Sequence, residues 1–372
     1  MELEFEDDDL VYLDGDNGRC RRRPTVATSI AVTSALRTSG FLLVRTHLLP
    51  RRLQGRALDA ARRYLGPGGV GRRGVVVPHP TDPKTYSMFE GIDSLRRVEA
   101  SAGIDCDGID DDDDDDDNDN DDDDCAREET TIVIDDLEEW YRAARATRTA
   151  LLRCIAIGLG MAARRGDDGS AGNEDDDADY LVRLHDEDND SMRLLQYSPG
   201  DACTGNRCRE HSDYGTLTLL LTDGVGGLEA YVDDDGGGGD GGSIGGGKGS
   251  WKPVPYAEGA IVVNVGSILS DWTGGELRAT LHRVAGPASA GRRGDDVADR
   301  AYRESLLRAV SVPRYSIAYF ADPNGDVSID AELGGGDSRV SDYIRWRSGG
   351  SGSDRSGVAF TSTEESRLAT IR

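Results

Sequence analysis

The sequence has no long apolar run, and we expect neither a membrane span nor a leader. No stretch of its 372 residues approaches the roughly 18 consecutive apolar residues that a transmembrane helix needs. The opening, MELEFEDDD, is acidic, whereas a secretory signal begins with a basic and then an apolar segment, and a transit peptide avoids acidic residues. We therefore expect a cytoplasmic protein with no membrane partner.

Cysteine is scarce as well. The six cysteines are too few and too irregularly spaced for a disulfide framework in a chain of this length, which favours a reducing compartment. Cys203 and Cys208 are too far apart for a Cys-x-x-Cys pair and no second pair accompanies them. We interpret them as ordinary thiols and predict no zinc site.

Basic residues are outnumbered by acidic ones. The 43 lysines and arginines face 70 aspartates and glutamates, for a formal net charge of −27 at pH 7. Such an excess of negative charge repels phosphate backbones, so we expect no nucleic-acid partner. A hydrophobic content of 37% is nevertheless adequate for a folded core.

Changes of composition and periodicity divide the chain into regions. A compact apolar run at 40–44 predicts a buried strand, an amphipathic helix is predicted from Pro50 to Tyr64, and a long one from about Asp135 to Met161. Residues 105–124 are almost entirely Asp and Asn and predict a disordered segment. The predicted regions are a polar N-terminal tail (1–27), an N-terminal helical and mixed region (28–104), an acidic low-complexity insertion (105–127), a long supporting helix (128–165), a jelly-roll core (180–330) with a Gly/Asp-rich insertion (233–250), and a C-terminal extension (331–372).

The predicted core has a period of two. MRLLQY, TLTLLLT, LEAYV, AIVVNV and YSIAYF alternate as short strands separated by turn residues, which is typical of a sandwich or barrel. The long helix needs a sheet against which to pack its apolar stripe. We predict a mainly β fold with flanking helices and a double-stranded β-helix, or jelly-roll, core.

Three residues in this core form a candidate metal site. His211 and Asp213 are two residues apart, so on a regular strand their side chains point to the same face. His282, in TLHRV, is the best-placed source of a third ligand. Two imidazoles and one carboxylate on one face of an octahedron suit non-haem Fe(II) and oxygen chemistry.

A second pair agrees with this chemistry. Arg314 and Ser316, in VPRYSIAYF, are also two apart on a predicted strand. A guanidinium and a hydroxyl on one face can bind a carboxylate through charge-assisted hydrogen bonds. The pair therefore predicts a site for a dicarboxylate co-substrate beside the metal.

These residues lie in longer segments that resemble a known family. HSDYGTLTLLLTDGVGGLEAY, WKPVPYAEGAIVVNVGSILSDWTGGELRATLHRV and PRYSIAYF resemble the isopenicillin N synthase-like family of Fe(II)/2-oxoglutarate-dependent dioxygenases. ALRTSGFLLVRTHLL and MRLLQYSP resemble its upstream regions more weakly. Apart from the insertions, the resemblance covers most of residues 28–330.

The resemblance implies specific roles. His211, Asp213 and His282 become the catalytic iron ligands, while Arg314 and Ser316, assisted by Tyr197, hold the distal carboxylate of 2-oxoglutarate. The cofactors implied are Fe(II), 2-oxoglutarate as co-substrate and O2, with ascorbate as a reductant in vitro. The implied reaction hydroxylates or desaturates a small organic metabolite and releases succinate and CO2. Asn264 matches a recurrent Asn of the family with a structural role.

Three alternatives stay open. The first is an Fe(II) oxidase of the same fold that does not use 2-oxoglutarate. The second is a jelly-roll binding protein without turnover, which has no need of the Arg314 and Ser316 pair. The third is a scaffold that binds basic partners through its Asp runs, in which case His211 is dispensable.

The remaining histidines receive structural interpretations. His47 follows a predicted buried strand and is expected to be packed and hydrogen-bonded. His79 and His185 lie in polar surroundings and are expected on the surface or in loops.

Overall fold

The computed structural model describes the chain in segments. These are residues 2–4, 12–13, 20–21, 24–66, 69, 77–78, 84–102, 120–161, 178–199, 205–233, 249–286, 297–309, 311–329 and 339–347. The predicted insertions at 105–127 and 233–250 lie mostly outside the described residues, as do His79 and most of the predicted N-terminal tail and C-terminal extension.

The helices flank two sheets. In chain order they are α1 Val26–Ser39, α2 Arg51–Leu65, α3 Ile92–Ala102, α4 Asn120–Leu159, α5 Tyr180–Arg183, α6 Ser267–Trp272, α7 Val297–Ala309 and α8 Val340–Arg347. The strands are β1 Glu2–Glu4, β2 Tyr12–Leu13, β3 Cys20–Arg21, β4 Phe41–Arg45, β5 Val77–Pro78, β6 Lys84–Glu90, β7 Ser191–Tyr197, β8 Cys208–His211, β9 Leu217–Thr222, β10 Leu228–Asp233, β11 Gly249–Pro253, β12 Ile261–Val265, β13 His282–Val284 and β14 Arg314–Ala321.

The larger sheet has eight strands in the order β1-β4-β12-β9-β14-β7-β6-β5, and the smaller has four in the order β11-β10-β13-β8. Neighbouring strands are antiparallel except for β1 and β4. A separate two-stranded ribbon pairs β2 with β3. The predicted strands of period two are all present as β7, β9, β10, β12 and β14.

Alternation along the strands separates two sides of the large sheet. Leu219 of β9 and Tyr319 of β14 are buried in the main hydrophobic core, which also contains the apolar faces of α1, α2 and α4. Their neighbours Thr218 and Ala318 line a cavity on the opposite side. Because side chains of a strand alternate between faces, one sheet can carry both a helix-packed core and a polar site.

The long helix α4 supplies much of that core. Its predicted stripe is buried, and Trp140, Tyr141 and Leu137 have no exposed surface. The helix begins at Asn120, about 15 residues earlier than predicted, so the prediction of disorder up to residue 124 is wrong at its end. Acidic residues stabilise the first turns of a helix through its dipole, which offsets the low helix propensity of Asp.

None of the helices that the structure describes is both long enough and apolar enough to cross a membrane.

Candidate active site

The three candidate metal ligands converge at the end of the small sheet. His211 is the last residue of β8 and His282 the first of β13, and the two are paired in register. Asp213 lies beyond the end of β8 and not on a strand as predicted. Its Oδ1 is nevertheless 3.8 Å from Nε2 of His211 and 3.7 Å from Nε2 of His282.

The arrangement fits a transition-metal ion. One ligand atom from each of the three residues lies within 4.8 Å of the others, and this is the one such group of three or more His, Cys, Asp or Glu side chains in the described segments. Two imidazoles and a carboxylate are the donor set of non-haem Fe(II) sites. The donors on this chain therefore fit Fe(II).

Backbone carbonyls fix the imidazoles with Nε2 facing the shared centre. Nδ1 of His211 lies 2.9 Å from the Arg209 carbonyl, and Nδ1 of His282 lies 3.1 Å from the Thr280 carbonyl. A carbonyl only accepts hydrogen bonds, so each Nδ1 is the protonated donor. In a neutral ring this leaves the lone pair on Nε2, where a metal can bind.

Two side chains from the large sheet orient the carboxylate of Asp213. The Thr218 hydroxyl donates to Oδ2 at 2.6 Å, and the Asn264 amide donates to the same atom at 2.7 Å. Thr218 and Asn264 are cross-strand partners on β9 and β12, which explains why both reach one oxygen. Both bonds fall on Oδ2, so Oδ1 stays directed at the two histidines.

Burial shapes the ionisation of this centre. It lowers the pKa of His282 to about 4, which outweighs the opposing effect of Asp213 and keeps the ring neutral at pH 7. Burial alone raises the pKa of Asp213, but His282, His211 and the hydrogen bonds from Thr218 and Asn264 lower it overall. A neutral imidazole beside an ionised carboxylate is the protonation state that metal binding requires.

Arg314 and Ser316 share a face of β14, as the sequence predicts. Both are buried, and Nη1 of Arg314 lies 3.4 Å from the Ser316 hydroxyl. Nε of Arg314 donates to the Val225 carbonyl at 3.1 Å, which holds the side chain in place. The guanidinium carbon lies 5.0 Å from the centre of the Tyr197 ring, a cation–π contact.

One cavity of about 70 Å³ joins these groups. Both sheets line it, so the predicted ligands and the predicted carboxylate-binding residues open onto the same space. The lining side chains that the sequence did not assign to the site include Lys84, Arg193 and Cys208. No local pattern signals them, because their proximity depends on strand register between distant segments.

Two other histidines differ from their interpretations. His185 is buried, with Nδ1 2.7 Å from the Leu181 carbonyl and Nε2 2.8 Å from the Thr216 hydroxyl, so a surface position is wrong. His47 is exposed and not packed as expected. Neither lines the cavity.

The sequence model of the 2OG-Fe(II) oxygenase superfamily matches residues 189–323. This span contains the five residues His211, Asp213, His282, Arg314 and Ser316. Residues 189–323, about a third of the chain, are thus similar to the 2OG-Fe(II) oxygenase superfamily. The predicted resemblance to Fe(II)/2-oxoglutarate-dependent dioxygenases is confirmed at the level of the superfamily.

Curated proteins similar to this chain include fungal ones. The 2-oxoglutarate-dependent dioxygenase gloF of Glarea lozoyensis is 32% identical over 216 residues, which are 56% of this chain and 53% of that protein. The proline hydroxylase buaE of Petromyces alliaceus is 36% identical over 155 residues, 40% of each chain. The chain thus spans about half the length, or less, of these relatives.

Solved structures share the fold. A full-length protein of Neurospora crassa, solved in complex with alpha-KG, has a TM-score of 0.55 at 20% identity, covering 82% of this chain and 80% of that one. The dioxygenase for auxin oxidation in rice has a TM-score of 0.54 at 20% identity, covering 89% and 93%. The prediction of a double-stranded β-helix core with flanking helices is confirmed.

Proposed function

We propose that this chain is an Fe(II)- and 2-oxoglutarate-dependent dioxygenase that hydroxylates or desaturates a small organic metabolite. The observation that carries the proposal is the convergence of His211, Asp213 and His282 on a cavity that also holds Arg314 and Ser316. A metal site alone suits several chemistries. A metal site that shares its cavity with a buried guanidinium and hydroxyl suits a metal enzyme with a carboxylate co-substrate.

Each residue has a defined task in this proposal. The Nε2 atoms of His211 and His282 and Oδ1 of Asp213 would hold the iron. When bound, Fe(II) supplies the oxidative chemistry with O2 and 2-oxoglutarate, and succinate and CO2 are released. Arg314 donates charge-assisted hydrogen bonds to the distal carboxylate, and the Ser316 hydroxyl donates a further one.

Tyr197 assists by position. It is the register partner of Arg314 on β7, and it is buried, with a pKa raised by burial. The ring remains a neutral phenol at pH 7, so its face packs against the Arg314 guanidinium without a competing charge. We infer that this contact keeps the guanidinium extended toward the co-substrate.

The proposed substrate class rests on the residues that line the cavity and on the name of a similar protein. Apolar side chains such as Leu195 and Phe320 accompany a few polar groups in the cavity lining, a combination typical of small-molecule sites. One similar protein is named a proline hydroxylase, and proline is a small organic molecule. Cys154 and Cys208 are buried and form no disulfide in the described part of the chain, which fits the reducing, cytoplasmic location predicted from the sequence.

Oxygen consumption and succinate formation test the proposal. Purified protein is supplied with Fe(II), ascorbate and 2-oxoglutarate, and the wild type is compared with His211→Ala and Arg314→Ala. The matched controls are His47→Ala and Arg97→Ala, because both residues are exposed and lie outside the cavity. We expect slow succinate formation by the wild type and the controls and at least a tenfold loss in the two cavity variants.

The alternatives give different results. An oxidase that does not use 2-oxoglutarate binds iron through His211 and consumes oxygen with its own substrate, but forms no succinate. A non-catalytic binding protein neither consumes oxygen nor loses its ligand when His211 is replaced. Succinate formation that is equal in wild type and Arg314→Ala would refute the assigned role of Arg314.

A further inference from the structure

Lys84 is an unusual residue in this chain. The sequence contains only three lysines, Lys84, Lys248 and Lys252, among 43 basic residues. Lys84 is the first residue of β6 and is buried, with 7% of its surface exposed. Burial of an ammonium group is costly unless anions or hydrogen bonds compensate it, so its surroundings bear on what it does.

The register of the large sheet places Lys84 beside the proposed co-substrate site. Lys84 pairs with Tyr197 across β6 and β7, and Tyr197 pairs with Arg314 across β7 and β14. The three residues thus form one cross-strand row, in which a cation lies on each side of the tyrosine. All three line the cavity.

Cys208 determines where the ammonium group of Lys84 lies. Nζ donates to the Cys208 thiol at 2.9 Å, so the lysine reaches from the large sheet to the first residue of β8 in the small sheet. The same sulfur is 4.0 Å from Nδ1 of His211. Cys208 therefore contacts both the ammonium group of Lys84 and the ring of the metal-ligand candidate His211.

The charges along the cavity are unbalanced. Among the described residues that line it, Lys84, Arg193 and Arg314 are cationic, and Asp213 is the single acidic side chain. The Asp213 carboxylate already accepts hydrogen bonds from Thr218 and Asn264 and faces the two histidines. The wall formed by Lys84, Tyr197 and Arg314 is thus suited to an anion that enters from solution.

We propose that Lys84 is a second cationic contact for the distal carboxylate of 2-oxoglutarate, acting beside Arg314 and held at the cavity wall by Cys208. The inference rests on the proposed function, because it assigns a further binding residue to the same co-substrate. A carboxylate has about four lone-pair positions, so it can accept from a guanidinium, a hydroxyl and an ammonium group at once. Binding of the carboxylate also offsets the buried charge of Lys84.

A binding cycle without turnover tests this inference. The protein is loaded with Mn(II) in the absence of oxygen, and calorimetry measures the affinity for 2-oxoglutarate and for 2-oxopentanoate, which has a methyl group in place of the distal carboxylate. The variants are Lys84→Met, which removes the charge but keeps an unbranched side chain, and Lys252→Met, which removes an exposed lysine outside the cavity. Thermal unfolding verifies that each variant is folded.

We expect Lys84→Met to weaken 2-oxoglutarate binding on the order of 10-fold to 100-fold, which is typical of a lost hydrogen bond to a charged group. The affinity for 2-oxopentanoate should change less than about threefold, and Lys252→Met should behave as wild type. The coupling between the lysine and the distal carboxylate is then measured directly.

The other outcomes separate the two proposals. Unchanged 2-oxoglutarate binding by Lys84→Met overturns the inference and leaves the proposed function intact. Equal losses for both ligands also overturn it, because Lys84 then acts on the shared 2-oxo acid end or on the metal site. A wild type that binds neither ligand in the presence of Mn(II) refutes the proposed function itself.

Discussion

At the scale of single residues, the orientation of Asp213 depends on neighbours that are not metal ligands. Asn264 donates to Oδ2 at 2.7 Å and leaves Oδ1 directed at the histidines. We predict that Asn264→Ala weakens Mn(II) or Fe(II) binding on the order of 10-fold, since loss of a group that orients a metal ligand commonly costs about 10-fold to 100-fold in affinity. Calorimetric titration of the metal-free protein measures this effect.

Asn189→Ala is the control for this substitution. Asn189 is exposed and lies outside the cavity, so its loss should leave metal affinity unchanged. If Asn264→Ala binds metal as tightly as Asn189→Ala, the Asn264 hydrogen bond serves packing alone.

His185 is a second residue whose environment sets a measurable property. Burial lowers its pKa to about 4 from an ordinary value of 6.5, although the Leu181 carbonyl opposes the shift. The unfolded chain therefore takes up a proton below pH 6.5 that the folded protein does not accept until about pH 4. Stability should fall as the pH drops through this window, by about 3 kcal/mol in total.

Urea unfolding at pH 7 and pH 5 tests this prediction. His185→Gln has no titrating ring, and its amide can still bond to the Thr216 hydroxyl. The loss of stability between the two pH values should be smaller in the variant than in the wild type. Identical losses would show that His185 is not the titrating group.

Residue types and short spacings predict some residues of this site but not all of them. Arg314 and Ser316 are recognisable because they lie two apart on a strand, whose geometry sets the side-chain direction. His211 and Asp213 are recognisable by residue type and spacing, although Asp213 lies beyond the end of β8. Lys84 is 124 residues from Cys208, and only the register of β6 on β7 brings them together. No spacing in the sequence encodes that contact.

At the scale of elements, we predict opposite changes in stability for substitutions at two glycines of the helical layer. Gly40 ends α1 with φ of 71°, and a Cβ there would lie 2.2 Å from the Arg278 carbonyl oxygen. Gly55 is inside α2, where an added Cβ meets nothing within 4 Å. Gly40→Ala should destabilise the protein by more than about 1 kcal/mol, whereas Gly55→Ala should stabilise it by about 0.5–1 kcal/mol.

Chemical denaturation of the two variants measures the predicted decrease and the predicted increase in the free energy of unfolding. The comparison is matched, because each variant adds the same methyl group. A stabilising Gly40→Ala would show that the turn from α1 into β4 is free to move away from Arg278.

Elements with a clear apolar period were predictable, and those governed by charge were not. α2 follows its apolar face and was predicted to within one residue at each end. The start of α4 was missed because Asp residues have low helix propensity but favourable interactions with a helix N-terminus. β8 is shorter than predicted. It ends at His211, and Ser212 and Asp213 lie beyond it.

At the scale of the whole molecule, we expect buried carboxyl groups outside the cavity to influence how stability depends on pH. Asp190 accepts hydrogen bonds from Arg148 and Tyr319 in the interior. Asp322 is close to it, since the backbone N–H of Asp322 donates to Oδ1 of Asp190 at 3.2 Å. The contact joins segments next to β14, β7 and α4, so it could not be predicted from local sequence.

Asp322→Asn should stabilise the protein at neutral pH. Burial, followed by the charge of Asp190, raises the pKa of Asp322 from 3.8 to about 7. The folded protein keeps a proton that the unfolded chain releases above pH 3.8, so this group stabilises the fold fully below that pH and the contribution is lost as the pH rises to about 7.

At pH 8 the wild type should therefore be less stable than Asp322→Asn by up to about 4 kcal/mol, and the difference should shrink toward pH 4. Urea unfolding at about pH 4, 6 and 8 measures it. As the pH rises from 4 to 6.5, the contribution of Asp322 to stability falls and that of His185 rises. The two contributions partly cancel, so only the single variants reveal them. A difference that is constant across the three pH values would show that folding does not raise the pKa of Asp322.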